Sequence, residues 1–291
     1  MLQAVPLSRP IVGLMEGSPG EAELTILRHA MHTEPPPSGH PAALPITIAE
    51  NLCEPSGHIL GRFAAVSFWG WLQVIYHQTE AGPGRAENEQ RLIAAVKETA
   101  RRYGCHAVLS HCFTKADQDK LANAGFHRVG KLEGYPRGFA HRVMVWRNKG
   151  EPVRPGPTTV PERRSERNWI PQLLDRTLTA RGLPPREEQP LNRVIRNRAG
   201  QPVAGVLGSV CWNQLTLNGL WTHPDYRGRG CAGRLLHSVE KAARRHKLDH
   251  ILLDTFSFQA LFFYQRRGYR VYATLRDFPT GHERHYLAKR L

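Results

Sequence analysis

The stretch DYRGRGCAGRLL, Asp225 to Leu236, sets three glycines and three arginines in ten residues and then passes straight into leucines at helical spacing. Gly228, Gly230 and Gly233 lack the Cβ atoms that would hold a bulky anion off the backbone. The N–H groups of such a turn converge at the mouth of a helix, where the dipole adds positive potential. Arg227, Arg229 and Arg234 supply charge-assisted donors. No GK[ST] follows, so this is not a P-loop, and the GxGxxG frame of a dinucleotide-binding unit is missing. The neighbourhood of the turn decides its reading.

Behind the loop, Leu235, Leu236, Val239, Ala242 and Ala243 form an apolar helical stripe, with Arg234, Lys241, Arg244 and Arg245 outside it. HILLDTF then reads as a buried strand, and QALFFYQRR as a short helix closed by Gly268. YRVYATLRD and RHYLAKRL read as strands around the turn FPTGH. Ahead of the loop, PLNRVIRN, PVAGVLGSV and NQLTLNGLWT read as three strands, and RNWIPQLLDRTLTARG as a helix that starts the unit.

This plan occurs twice. At a constant shift of 143 and without a gap, Arg91–Phe113 lies over Arg234–Phe256. The register continues through Gly125 on Gly268, Leu132 on Leu275, Pro136 on Pro279 and Gly138 on Gly281, and upstream Trp69 falls on Trp212. An ungapped match over a helix, a strand and a hairpin argues for a duplicated domain. In the first copy, Ser18-Pro19-Gly20-Glu21 has the form of a capping box opening the helix AELTILRHAM. The Pro- and Arg-rich segment Arg147–Trp169 reads as a linker. The boundaries expected are a first domain over 1–150, a linker over 151–163 and a second domain over 164–291. The fold class is α+β, each domain a mixed, mostly antiparallel sheet flanked by helices.

The net charge of +15 is uneven: residues 1–150 contribute +3 and residues 151–291 contribute +12. The second half therefore attracts anions, whether a polyphosphate cofactor, nucleic acid or an acidic protein. The chain has no apolar run long enough to span a bilayer and no signal-peptide pattern, so no membrane partner is expected. Five cysteines without a CxxC pair point to a reduced, cytoplasmic setting, and no metal site is expected. In particular, His282 to His285 (HERH) reads as two solvated histidines on a hairpin.

LWTHPDYRGRGCAGRLL resembles the pyrophosphate loop of the GNAT superfamily of acyl-CoA N-acyltransferases, whose pattern Arg/Gln-x-x-Gly-x-Gly/Ala is met by Arg227, Gly230 and Ala232. The segment from Ile251 to Leu291 resembles the second half of that fold, including Phe-Tyr-x-x-x-Gly-Tyr. The resemblance is specific over about residues 200–291 and reaches the first 150 only through the repeat. It implies a tandem GNAT-like arrangement using acetyl-CoA. Leu220, Trp221 and Thr222 would pair with the pantetheine amides. The segment Gly228, Arg229, Gly230, Cys231 and Ala232 would hold the pyrophosphate, with Arg227 alongside. Ser257 falls where many members carry a cofactor-contacting Asn. Tyr264 falls on the tyrosine that protonates the leaving thiolate, a role suited to a phenol of pKa about 10 facing a thiol of about 8.5. For the amine-facing base the sequence offers Asp254, Asp277 and His282. A helix cap, an Asx turn and a strand start are the respective structural alternatives.

The first copy departs from this pattern. Gly84 to Glu89 lie over Arg227 to Ala232, placing Glu87 and Glu89 where phosphate oxygens would sit, and Leu121 stands in the place of Tyr264. The expectation is a degenerate, non-catalytic first copy and an N-acetyltransferase acting on a small-molecule, peptide or aminoacyl-tRNA amine. The alternative is a non-catalytic acyl-CoA sensor or nucleic-acid-binding protein using the basic second half. The oligomeric state is not legible.

Overall fold

The computed structural model describes residues 15–32, 45–82, 84–150 and 170–291. The linker expected over 151–163 lies outside the described residues. The first half runs β1 (Met15–Gly17), α1 (Glu21–His32), β2 (Ile46–Cys53), β3 (Ile59–Phe68), β4 (Trp71–Thr79), α2 (Arg85–Arg102), β5 (Ala107–Cys112), α3 (Lys115–Asn123), β6 (His127–Glu133) and β7 (Ala140–Arg147). The second runs α4 (Ile170–Ala180), β8 (Gln189–Pro190), β9 (Arg193–Arg196), β10 (Pro202–Cys211), β11 (Gln214–Thr222), α5 (Cys231–Arg245), β12 (His250–Phe256), α6 (Leu261–Gln265), β13 (Arg270–Arg276) and β14 (Glu283–Arg290). The sequence-derived stripe of α5 is buried as expected. The helix start at α1 differs: Glu23, three residues into the helix, returns to the N–H of Gly20 at 2.8 Å, so the cap sits two residues later than Ser18.

The strands form one continuous sheet ordered β1-β9-β10-β11-β12-β14-β13-β6-β7-β5-β4-β3-β2. All pairings are antiparallel except β11 with β12 and β4 with β5. In each half that parallel pair is short. β11 and β12 are paired from Gln214↔His250 to Leu217↔Leu253 and then part. At the point of parting, Asn218 is the extra residue of a bulge against β10. In the first half, pairing stops at Gln73↔Leu109, and the bulge falls on Ile75, 143 residues before Asn218.

The halves meet through matching parts. The sheet crosses from one to the other at the single pair Gly130↔Ala273, again 143 apart. A Cβ on Gly130 would stand 2.3 Å from the Cβ of Ala273 and 2.4 Å from the carbonyl oxygen of Tyr272, so the close crossing demands glycine. The β13–β14 turn of the second half docks on the first: the Asp277 carbonyl accepts a hydrogen bond from Trp71 Nε1 (2.7 Å) and contacts His106 Nε2 at 3.1 Å. Trp71 stacks on Phe278, with 4.9 Å between centroids. The β6–β7 turn of the first half docks on the second in return. Asn213 Nδ2 donates to the Gly134 carbonyl (2.8 Å), and Arg137 grips Asp249 with Nε and Nη2, one to each carboxylate oxygen.

Each half also lends its first helix. Leu27 of α1 is fully buried against β10, with its side chain where a Cβ on Gly205 would stand, and Met31 lies over Gly219 of β11. β1 pairs with β9, and Glu23 of α1 binds Arg196. Residues 15–32, which sequence order assigns to the first unit, therefore pack on the second half. Conversely, α4 packs on β4. Among the described residues no helix is long and apolar enough to cross a membrane, and all five cysteines are free.

Leu27→Ala is expected to destabilise the chain by about 2–5 kcal/mol, as emptied core sites do. Gly205→Ala is expected to be costly in the native background and cheap when combined with Leu27→Ala, where its methyl enters the vacated space. Urea unfolding of both single variants and the double variant checks this, and strictly additive costs would contradict the close packing of α1 on β10.

Candidate functional site

The loop before α5 is built to leave backbone donors open. His223 accepts from the Asp225 N–H at 3.3 Å, and Pro224–Tyr226 makes a single 3-10 turn. Gly228 (φ 72°) and Gly230 (φ 81°) then take the left-handed conformation, which places Gly230 as the N-cap of α5 with no side chain capping it. Among the described residues nothing lies within 4 Å of where a Cβ on Gly228 would stand. Arg229 lies over the Tyr226 ring, and Arg227 Nε donates to the Thr222 carbonyl at 3.1 Å. Cys231 is buried and its thiol is pushed up by burial, while Ala232 follows it in the first turn. Arg234 is turned away to Glu16 of β1 (3.2 Å).

The parting of β11 from β12 opens beside this loop. Leu220, Trp221 and Thr222 pair with β10 along one edge only, so their other edge borders the gap. Tyr264, on α6, is 8% exposed, and its hydroxyl is pushed up to about 12 by burial and by the charge of Asp254. Asp254 stands where β12 leaves β11. Arg284 Nε holds its Oδ2 at 2.8 Å, and among the described residues nothing bonds Oδ1. Arg284 itself lies over the rings of Phe256, Phe278 and Tyr286 and reaches Gln73 Oε1 of the first half at 3.4 Å.

Asp277 and His282 are placed elsewhere. Asp277 Oδ1 accepts from the Gly281 N–H and the residue closes the turn that docks on Trp71. His282 lies edge-on to Phe258, with Nδ1 3.4 Å from Ser257 Oγ. Ser257 Oγ also accepts from the Glu283 N–H, so its hydroxyl is engaged in the hairpin.

A cavity of about 450 Å³ lies between the halves and includes Asn218 and Asp254 in its wall. β4 and β5, α4, and the strands β13 and β14 complete it. Its wall carries a chain of neutral polar rings: Tyr272 Oη lies 3.3 Å from His141 Nδ1, and His141 Nε2 lies 2.9 Å from His111 Nδ1. Burial holds His111 down to about 4, and His141 well below its usual value. These residues, with Tyr135 and Tyr286, escaped sequence reasoning because each sits on an ordinary strand or turn. The one available signal was their polar character within otherwise buried strands.

In the first half the loop is replaced by helix. The C-caps Tyr103 and His246 keep the shift of 143, but the N-caps Gly84 (φ 77°) and Gly230 are 146 apart, so α2 begins one turn earlier in the repeat. Glu87 and Glu89 thus belong to a helical turn. Glu89 is bound by Arg85 at 3.4 Å and Lys120 at 2.6 Å. Leu121 is a core residue. The first-half gap also receives Arg181, which follows α4. It pairs with Asp117 at 3.0 Å and approaches His77.

The sequence profile of the acetyltransferase (GNAT) family matches residues 159–269. A blasticidin-S acetyltransferase of Streptomyces morookaense is 38% identical over 93 residues, covering 32% of this chain and 68% of that protein. An acetyltransferase of Agrobacterium fabrum is 29% identical over 104 residues, covering 36% and 76% respectively. A crystal structure of an acetyltransferase from Bacillus cereus aligns with 35% identity and a TM-score of 0.39, over 44% of this chain and 93% of that one.

The buried histidines give stability a sign in pH. The unfolded chain takes up their protons as pH falls past about 6.5, whereas folded His111 does so only near 4 and burial likewise holds His141 well below its usual value. Stability is therefore full above about 6.5 and is lost toward 4, by a few kcal/mol in all. The urea midpoint is expected to fall over this interval, and the double variant His111→Gln, His141→Gln to flatten that fall. A midpoint constant from pH 7 to 4.5 would contradict it.

Proposed function

Because the chain belongs to the acetyltransferase (GNAT) family and is an acyl-CoA-dependent N-acyltransferase, we propose that it moves an acetyl group from acetyl-CoA to a primary amine, with catalysis confined to residues 164–291. In this reading residues 1–150 are a degenerate GNAT-like copy in tandem with the catalytic one, joined to it by 151–163. The five unbridged cysteines favour a reduced, cytoplasmic setting.

The observation that carries the reading is the uncapped start of α5, a helix of 15 residues fronted by Gly228 and Gly230. A pyrophosphate fits there, because among the described residues no side chain caps the helix start and no Cβ bars the approach. Backbone N–H groups from Gly228 to Ala232 would hold it, with Arg227 and Arg229 alongside. The open edge of Leu220, Trp221 and Thr222 would pair with the pantetheine amides. Acetyl-CoA, when bound, supplies a thioester carbonyl and a thiolate leaving group.

The chain's own residues manage the protons. Tyr264 keeps its proton through the neutral range, since burial raises its pKa to about 12. It gives that proton to the sulfur as the C–S bond breaks and the N–C bond forms. Asp254, which lines the cavity and whose Oδ1 has no partner among the described residues, would take the proton that nitrogen must shed, while Arg284 holds its Oδ2. Asp277 and His282 are held in the docking hairpin, which favours Asp254 over them. A cavity of about 450 Å³ favours a small acceptor over a peptide or an aminoacyl-tRNA.

Calorimetric titration of acetyl-CoA is expected to find one site per chain, lost in Gly230→Glu and unchanged in Glu87→Gly. Tyr264→Phe is expected to keep that site while kcat falls about 10²-fold or more. Two sites per chain would restore the first half as a cofactor site. Full activity in Tyr264→Phe would remove the phenol from the mechanism.

A further inference from the structure

The cavity between the halves has a wall chemistry that selects its occupant. Every charged side chain lining it among the described residues is already paired: Asp117 with Arg181, Arg186 with Glu188, and Asp254 with Arg284. Such a wall has no surplus charge for a phosphate, a carboxylate or a second ammonium group, each of which would be desolvated there without a counter-charge. The wall does offer flat rings. Phe113, Tyr135, His141 and Trp212 form one cluster, with centroids 5.3–5.8 Å apart in the contacts Phe113–Tyr135, Phe113–His141, Phe113–Trp212, Tyr135–His141 and Tyr135–Trp212. Across the cavity wall, Tyr286 stands edge-on to His111.

The polar atoms between these rings are neutral. Burial keeps the imidazoles of His111 and His141 unprotonated and the phenol of Tyr286 protonated, the latter pushed up to about 12. Tyr286 is 8% exposed and lines the cavity, and among the described residues its hydroxyl, like that of Thr177 on the same wall, has no hydrogen-bond partner. A buried hydroxyl without a partner is costly, and a ligand atom that accepts from it recovers that cost. Tyr286 is also the cross-strand partner of Asp254. A group bonded to Tyr286 would therefore lie next to the carboxylate assigned above to the amine proton.

We propose that the acceptor is a small primary amine carried on a flat, uncharged, hydrogen-bonding ring, seated among the aromatic residues of both halves with Tyr286 donating to it. This rests on the acetyltransferase reading and specifies its substrate. The ring stacks in the cluster formed by Phe113, Tyr135, His141 and Trp212, and the amine reaches toward Asp254 and the parted strands. The first half thus serves as the specificity wall of the second half's reaction. Polyamines and peptides are discriminated against because the cavity cannot compensate their further charges or unpaired backbone groups.

The test uses the full chain with acetyl-CoA and five acceptor probes: tyramine, 4-methoxyphenethylamine, putrescine, spermidine and alanyl-alanine amide. Coenzyme A release gives kcat/KM for each, and calorimetry of tyramine and 4-methoxyphenethylamine, whose ring oxygens can both accept from Tyr286, measures binding independently of turnover. The ring amines are expected to exceed the other probes at least tenfold in kcat/KM. Tyr286→Phe and Tyr135→Ala are each expected to raise the ring-amine KM about tenfold while the KM for acetyl-CoA stays the same. Ring amines that bind and are never acetylated would overturn the acetyltransferase reading and leave the ring site standing. Putrescine, spermidine or the dipeptide acetylated as well as the ring amines would overturn the ring site and leave the acetyltransferase standing. Ring amines that neither bind nor react, or KM values indifferent to both variants, would also overturn the ring site.

Discussion

Everything at the centre of this molecule depends on two backbone carbonyls, each held by side chains from the opposite half. Trp71 and His106 hold the carbonyl of Asp277, and Asn213 holds that of Gly134. The two carbonyls are 143 residues apart and belong to turns of the same form. The two carbonyls are counterparts although their donors are not, since Trp71 lies over Gln214 and Asn213 over Gly70, and the exchange approximates the pattern by which two-fold interfaces bury one surface on itself. Trp71, fully buried and stacked on Phe278, supplies apolar area that makes one of these hydrogen bonds inaccessible to water. With the turns fixed in this way, the parted strands β4/β5 and β11/β12 both contribute to the wall of one cavity.

The same reciprocity brings out how the corresponding gaps of the two halves differ in their surroundings. A gap between parted strands is a place where backbone and side chains are exposed to a ligand. In the second half that gap adjoins an open glycine turn. In the first, an extra turn of α2 takes the place of the loop, and Arg181 from the chain after α4 enters and pairs with Asp117. The charge pattern of Gly84 to Glu89 is therefore only one of the differences between the two loops. A helical turn and a guanidinium already occupy the space.

Much of this was legible in the sequence because the signals were local. The glycine-arginine turn, the stripe of α5 and the strands around FPTGH each rest on spacing within a few residues, and all took the expected form. The repeat at 143 was legible because it kept its register without a gap, and it proved to govern the bulges at Ile75 and Asn218 as well. What could not be read was long-range. Leu27 and Met31 carry the same apolar pattern whichever sheet they cover, so the packing of α1 on the second half left no local trace. The longer α2 was hidden because Gly84 caps it from a position where the ungapped register had placed an arginine. Tyr286 looked like one more residue of an apolar strand, and what sets it apart is a hydroxyl without a partner among the described residues.

The exchange of first helices has a consequence for how such a chain is made. α1 and β1 emerge from the ribosome early, but the surfaces that bury Leu27, Met31 and Glu23 are formed by residues 194 to 222. Much of the second half must be synthesised before that helix finds its place. During that interval its apolar face is open to aggregation or to a chaperone. The first half, waiting for α4, is likewise incomplete over β4. Neither half is a closed folding unit, and the native state is reached only when the last strands arrive, so folding is governed by contacts of long sequence separation.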